Sequence, residues 1–439
     1  MEGFVDIPQY DSYKDSGVDW LGSIPESWGV KPGLVAFSEN KRNNKGMKES
    51  RVLSLSYGKI VIKPEEKLIG LVPESFETYQ LVEPSDIIIR CTDLQNDKVS
   101  LRTGLAKDKG IITSAYLNLK VKKGFNSRFL HYFLHSLDTT KVIYKFGSGL
   151  RQNLSFLDFK RLPIFDIPET TQSAIAQFLD KKTAQIDEAI AIKEKQITLL
   201  KERKQIIIQK AVTQGLNPDV PMKDSGVDWI GDIPEHWEVK KLKHGVKIQG
   251  GFAFQSSDFK GDGIQLLKIA NLYQNRLALE RQPTFISVKL LKKYSDWVVK
   301  KGDILMSLTG TLGKRDYGFA ILLDNDEHYF LNQRVARLSA SDLFETRYLT
   351  NLLQSESYLN QIYQLPAGTK QANLSNDNVV NAYVTVPTFR EQTEIADFVE
   401  VSSRENAKLI ALQIEQIEKL KEYKTTLINS AVTGKIKVA

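Results

Sequence analysis

Residues capable of covalent or metal chemistry are few in this chain, and their spacings assemble no site. Of the five histidines only His131 and His135 stand four apart, the separation that puts two ligands on one helix face. Tyr132 occupies the place where a zinc protease would carry its glutamate, so both read as partly exposed helix positions. The segment Thr309-Gly310-Thr311-Leu312-Gly313-Lys314-Arg315 resembles a phosphate loop, but two residues rather than four separate its glycines, and Arg315 replaces the magnesium-holding hydroxyl. Asp219, Glu238 and Lys240 follow the order of a metal-dependent nuclease. Asp219, however, sits in an Asn-Pro-Asp linker, and Glu238 corresponds to Gly29 in the first copy of an internal repeat. Cys91 is the single cysteine, which excludes an internal disulfide and a multi-cysteine metal site and reads as a buried structural thiol. Neither an Asn-Pro-Pro-aromatic tetrapeptide nor a glycine-rich cofactor loop after a strand supports a methyltransferase. The expectation is a chain with no catalytic residues, no metal and no cofactor of its own.

What remains is binding chemistry. Arg, Lys, Ser, Thr, Asn, Gln and Tyr gather near glycines, the set that contacts phosphates and base edges. In the first half these are Ser56, Tyr57, Lys59, Arg90, Thr92, Asp93, Arg102, Lys107 and Lys109, with Arg151, Gln152 and Asn153 at an exit turn. In the second they are Gln249, Gly250, Phe254, Lys268, Asn271, Arg276, Thr309, Thr311, Lys314, Arg315, Asn332, Gln333 and Arg334, with Lys370, Gln371 and Asn373 at the matching turn. A formal charge of +7, from 60 Lys and Arg against 53 Asp and Glu, leans toward an anionic partner. The N-terminus carries no basic stretch followed by an apolar one, and no apolar run approaches a membrane span, so a cytoplasmic protein without membrane contact is expected.

Two features must position these loops. Residues 14–28 recur at 223–237, differing only at Leu21/Ile230, Ser23/Asp232 and Ser27/His236, which is an internal duplication. The repeated Trp, Gly and Ile-Pro suggest a compact, non-regular clasp with Trp20, Trp28, Trp229 and Trp237 buried. The other feature is residues 172–213, which lack Pro and Gly and carry an apolar seam of Ile186, Ile190, Ile197, Leu200 and Ile207. A helix there would run roughly 60 Å. Ile410, Ile417, Leu420 and Leu427 repeat the seam 220 positions on, which points to a two-stranded coil within one chain.

Between clasp and helix lie variable segments with strand-like runs at 52–57, 59–62, 85–90, 115–120, 264–269, 303–308 and 335–338, and helices at 127–137 and 346–363. A duplicated framework with diverged inserts is expected where the framework holds common partners and the inserts read different things.

The chain resembles the specificity subunits of type I restriction-modification systems. The resemblance covers essentially the whole sequence and rests on the duplicated Asp-Ser-Gly-Val-Asp-Trp-x-Gly-x-Ile-Pro-x-x-Trp clasp, both seamed helices, and the phrases at 250–254, 302–314 and 331–338. It implies an α+β fold with two strand-rich target recognition domains, joined by two long helices packed as an antiparallel coiled coil with an internal pseudo-twofold duplication. The domains would be 1–28 clasp, 29–150 first recognition domain, 151–215 exit turn and helix, 216–237 linker and second clasp, 238–371 second recognition domain, and 372–439 exit segment and helix. The resemblance further implies that each domain reads one half of a bipartite double-stranded DNA target while the coil sets the spacing. The partners would be two modification (methyltransferase) subunits carrying S-adenosylmethionine, and restriction/translocase subunits using ATP and magnesium. Two rival readings are a structural adaptor that joins protein partners without base readout, and a self-contained nuclease.

Overall fold

The computed structural model describes residues 8–64, 66, 75–97, 99–147, 152–365 and 370–438. The chain divides into two compact units, one of residues 1–193 with 414–439 and the other of residues 194–413.

In the first unit the clasp is a hairpin, Tyr13–Asp15 against Ser23–Pro25, and not the irregular segment its glycines suggest. Gly17 and Gly22, at φ of 71° and 62°, let the chain turn between strands, leaving Leu21, Ile24 and Trp28 buried. The central sheet is antiparallel, in the order Phe37–Glu39, Tyr116–Val121, Ile87–Arg90, Thr103–Leu105. Ile87, Ile88 and Ile89 are all buried because this strand is covered on both faces. Ile87 and Ile89 meet Phe129, Leu130, Phe133 and Leu134 of helix α1 (Ser127–Thr139), while Ile88 packs with Leu53, Val82 and Ile112. Asn126 caps α1 by accepting from the amides of Arg128 and Phe129. Helix α2 (Phe156–Arg161) opens on a Ser155/Asp158 capping box and leads through Pro163–Asp166, paired with Gly29–Pro32, into α3 (Glu169–Gln214).

The second unit repeats this plan. Its hairpin is Met222–Asp224 with Asp232–Pro234, and its central sheet runs Val246–Gly250, Val335–Ala340, Ile304–Ser307, Ala320–Leu322. A five-stranded sheet that includes Ile264–Leu267, Tyr329–Leu331 and Val298–Val299 adds to it. The stretch expected as one helix at 346–363 is two, α4 (Thr346–Leu353) and α5 (Glu356–Tyr363), because the Ser355 side chain accepts from the Tyr358 amide and starts a new helix. Helix α6 (Asn376–Val380) repeats the capping box with Ser375 and Asn378, and Tyr383–Val386 pairs with Glu238–Lys241 before α7 (Phe389–Val432). Trp237 is buried, but Trp229 is 42% exposed, contrary to expectation. In the first unit Trp20 finds Phe133 and Phe146 as ring neighbours; no ring pairs with Trp229 among the described residues.

The long helices enter the two units by the same device. Gln172 accepts from the Asn126 amide and donates to the Ile167 carbonyl; Gln392 accepts from the Glu345 amide and donates to the carbonyls of Pro387 and Leu343. Within the first unit, Ile186 of α3 shares a core with Leu427 of α7, Asp187 pairs with Lys424 at 2.6 Å, and Lys193 bonds Gln416. Within the second, Ile208 and Val212 of α3 share a core with Ile395 and Val399 of α7. Rising number in α3 meets falling number in α7, so the coil is antiparallel. Ile186, Ile417 and Leu427 of the seam are buried, and Ile190, Ile197, Leu200, Ile207, Ile410 and Leu420 are half-buried.

Candidate nucleic-acid interface

The described candidates fall into three groups. In the first unit, Thr92, Asp93, Gln152 and Asn153 meet at one corner, where the Asp93 amide donates to Asn153 Oδ1 at 2.9 Å and the Leu154 amide to the Cys91 carbonyl. Arg90 lies alongside, paired with Asp97 at 3.1 Å. Hydrogen bonds from Ser100 hold the Asp97 carboxyl down to about 2. Arg151 lies outside the described residues. The second unit builds the same corner by pairing Thr309–Thr311 with Gln371–Asn373. Thr309 Oγ1 and the Arg334 guanidinium both donate to Asn373 Oδ1, at 3.0 and 3.3 Å, and the Leu374 amide to the Leu308 carbonyl. Thr311, held by Asp316, and exposed Gln333, Lys314, Lys370 and Gln371 complete that corner.

The second group lies on turns of its own, exposed except for half-buried Ser56, and only Arg315 adjoins a corner, between Lys314 and Asp316. Ser56, Tyr57 and Lys59 form a hairpin tip where Tyr57, at φ 47°, is 92% exposed. Lys107 and Lys109 occupy another turn. Arg276 pairs with Glu280, and Arg315 with Glu356 over the Tyr363 ring.

The third group is tied into the fold, and its buried members Arg102, Asn271, Phe254 and Thr309 correct the expectation, whereas Lys268, Asn332 and Gly250 are half-buried. Arg102 is fully buried: its guanidinium donates to the carbonyls of Arg90, Thr92, Asp93 and Asp97 and to the Tyr144 hydroxyl, so it knots the corner together from beneath and cannot reach a ligand. Asn271, also fully buried, donates to the carbonyls of Ala278 and Arg281. Phe254 packs in an aromatic core with Phe252, Tyr294 and Phe330. Thr309 is buried beneath its corner, and Lys268 is tied to Thr284 at 2.5 Å. Asn332 carries a bridge to Phe252, and Gly250 lies within the central sheet opposite Ala336.

Sequence reasoning passed over one polar set. Asn40 and Asn118 are neighbours across two strands of the first unit, both donating to the Leu81 carbonyl and to Asp86 Oδ2. Burial pushes the Asp86 carboxyl up against the pull of the Glu83 amide. With Gln80, Arg42, Tyr79 and Tyr116 they line a cleft of about 260 Å³. The available signal was Asn118 itself, an amide between Leu117 and Leu119 in a buried strand. Cys91 is buried with its thiol pushed up to about 12 by desolvation, and His131 is lowered to about 3 by desolvation and by His135. Among the described residues no cluster of three or more acidic, His or Cys side chains could hold a metal, and no helix is long and apolar enough to cross a membrane.

Two diverged α+β units share a duplicated frame, each with a polar corner at the same place, the construction of a duplicated specificity scaffold. A family model described as type I restriction modification DNA specificity domain matches residues 234–419. The type I restriction enzyme MjaVIII specificity subunit of Methanocaldococcus jannaschii is 31% identical over 332 residues, covering 75% of each chain. The putative MjaX specificity subunit of the same organism is 25% identical over 95% of this chain and 96% of that one. A chain from a solved structure concerned with complex assembly and conformational transition of the type I R-M system superposes with a TM-score of 0.65 at 15% identity, over 93% of this chain and 98% of that one, which shows the shared fold. The chain belongs to the type I restriction-modification specificity subunits.

Proposed function

We propose that the two units each read one half of a bipartite double-stranded DNA target, and that the length of α3 and α7 sets the gap between the halves. The observation that carries this is the pair of corners. The frame closes the same way in both, by the bonds of Leu154 to Cys91 and of Leu374 to Leu308, while the exposed letters around it differ. A duplication that keeps its closure and changes its surface is what two readers of unlike sequences require.

The chain acts by binding, in the cytoplasm. Methylation with S-adenosylmethionine, and ATP- and magnesium-dependent translocation and cleavage, belong to partner modification and restriction subunits. Support for docking two modification subunits comes from the coil, where Ile192, Leu199 and Ile206 on α3 and Phe398, Val401, Leu409 and Leu412 on α7 stay exposed, an apolar stripe beside the buried seam on each helix. In the presence of modification subunits, a duplex carrying both half-sites is expected to bind at least tenfold more tightly than one carrying either half alone. Affinity is expected to fall steeply with salt. Equal binding to every duplex would sink the reading.

A further inference from the structure

The cleft beside Asn118 exists because this position is filled differently in the two units. Strand register sets Val121 opposite Phe37 and Ala340 opposite Val246, so Asn118 and Asn40 correspond to Arg337 and Gln249. The correspondence extends to the bonds: Asn118 donates to the Leu81 carbonyl, and Arg337 to the Val298 carbonyl, the first at 3.3 Å and the second at 3.2 Å. In the second unit Gln249 also donates to the Asp296 carbonyl and accepts from Arg337, so the longer pair satisfies itself. In the first unit the shorter asparagines leave an open space.

The polarity of that space is specific. Gln80 Nε2 is committed to the carbonyls of Thr113 and Tyr116, at 3.1 and 2.6 Å, so this amide has only its oxygen to offer. Asn118 Nδ2 faces the Leu81 carbonyl and Asp86 Oδ2, which fixes the amide's orientation, and Asn118 Oδ1 is buried with no hydrogen-bond partner. The floor therefore holds one buried acceptor without a donor, Asn118 Oδ1, with the Gln80 amide oxygen beside it, an arrangement that a buried site tolerates poorly. Tyr79 and Tyr116 are half-buried on its walls, surfaces against which a planar ring packs. Lys41 and Arg42 are exposed at the rim, where Lys41 pairs with Glu39 at 3.0 Å and Arg42 with Glu83 and Asp86 at 3.8 and 3.5 Å, pairs that a phosphate would have to share.

We propose that this cleft binds a single unstacked nucleobase of the 6-aminopurine or 4-aminopyrimidine kind, adenine or cytosine, with its phosphate toward Lys41 and Arg42. The volume suits one base and its sugar, and a base held in a stacked pair presents only an edge, so the base enters from an unpaired position or as a free nucleotide. A keto base of the uracil type brings one ring N–H flanked by two carbonyl oxygens, so at least one acceptor of the floor faces another acceptor. With a DNA-borne base, the inference rests on the DNA-reading function proposed above and adds a second kind of contact to it in the first unit alone.

The test titrates the full-length chain with adenosine and cytidine monophosphates and with uridine monophosphate, and separately with duplexes holding one unpaired adenine or one unpaired thymine. Amino-bearing probes are expected to bind at least tenfold more tightly than their keto counterparts. Gln80→Leu should erase the difference, and Lys41→Ala, at a position whose side chain is 77% exposed, should weaken all phosphate-bearing probes severalfold while keeping it. Discrimination by mononucleotides assigns a free nucleotide as the source; discrimination confined to the duplexes assigns DNA. Equal binding of amino and keto probes in both forms, or full discrimination by the Gln80→Leu chain, overturns the proposal. Loss of bipartite preference in the unaltered chain would count against the preceding section alone, because probe discrimination is read without a bipartite target.

Discussion

The two units differ most where their frames agree best. At the equivalent crossing of two strands, the first unit carries Asn40 and Asn118 bonded to the buried carboxyl of Asp86, and the second carries Gln249 and Arg337 bonded to each other and to the carbonyls of Asp296 and Val298, with Asp303 at the position of Asp86. Each aspartate accepts from the amide three residues before it, Glu83 in one unit and Lys300 in the other, both at 2.9 Å. The turn is kept and the side chains above it are exchanged. Folding thus constrains the backbone bonds of this frame, while the polar side chains that reach past them are free to diverge. Buried polar groups held in a complete network cost little, and a network left open, as at Asn118, marks a place where something else is accommodated.

The largest contrast to break is between Arg102 and Arg334. Both are arginines near the polar corners, yet one lies under its corner and the other on it. Arg102→Ala is expected to cost about 2–4 kcal/mol, because the four carbonyls it serves and the Tyr144 hydroxyl lose a charged donor inside the fold. Hydrogen exchange should localise the loss to the first unit. Arg334→Ala should change stability by less than about 0.5 kcal/mol while weakening DNA binding. Equal destabilisation by the two changes would remove the distinction between a supporting and a contacting arginine.

A finer contrast is the exchanged pair itself. Asn40→Gln with Asn118→Arg, placing the second unit's letters in the first, is expected to close the cleft and alter preference for the first half-site by about tenfold, the scale of one good side-chain readout. Preference for the second half-site should stay as it was. Duplexes varied in one half at a time measure this, with a thermal melt to confirm folding. A shift in both half-site preferences would show that the units do not read independently.

Much of this was legible in the letters, for physical reasons that also mark where legibility ends. The duplication, the seams and strands such as Ile87–Arg90 follow from periodicity and identity, which depend on local sequence alone. The break at Ser355 was missed because a serine inside an apolar period reads equally as a helix position or a cap, and only its bond to the Tyr358 amide decides. Arg102 looked like a surface cation since burial of arginine needs several carbonyls converging from segments far apart in sequence. The corners were half legible. Asn153 and Asn373 stood out in matched turns, but their pairing with Asp93 and Thr309 is a product of the fold.

The smallest expected effect separates the clasps. In the second unit Glu391 accepts from Trp237 Nε1 at 3.1 Å and from His236 at 2.8 Å, and it bonds Thr388; the first unit has Ser27 at the position of His236 and Thr171 at that of Glu391. Partial burial raises the Glu391 carboxyl, and the bonds from Thr388, Trp237 and His236 outweigh it and hold the group down to about 2 from its ordinary 4.5. A folded-state value below the unfolded one means that the stabilisation is complete above the ordinary carboxylate range and is lost as pH falls from about 4.5 toward 2. In Glu391→Gln the second unit should therefore lose this acid-dependent step while stability below pH 2 changes little. Acid titration followed by Trp237 fluorescence would show it, and a first-unit clasp reported by Trp28 should lack the same step in both chains. An acid transition that is identical with and without Glu391 would mean that the clasp of the second unit is held by the packing of Trp237 alone, as the clasp of the first is by Trp28 against Phe165 and Tyr10.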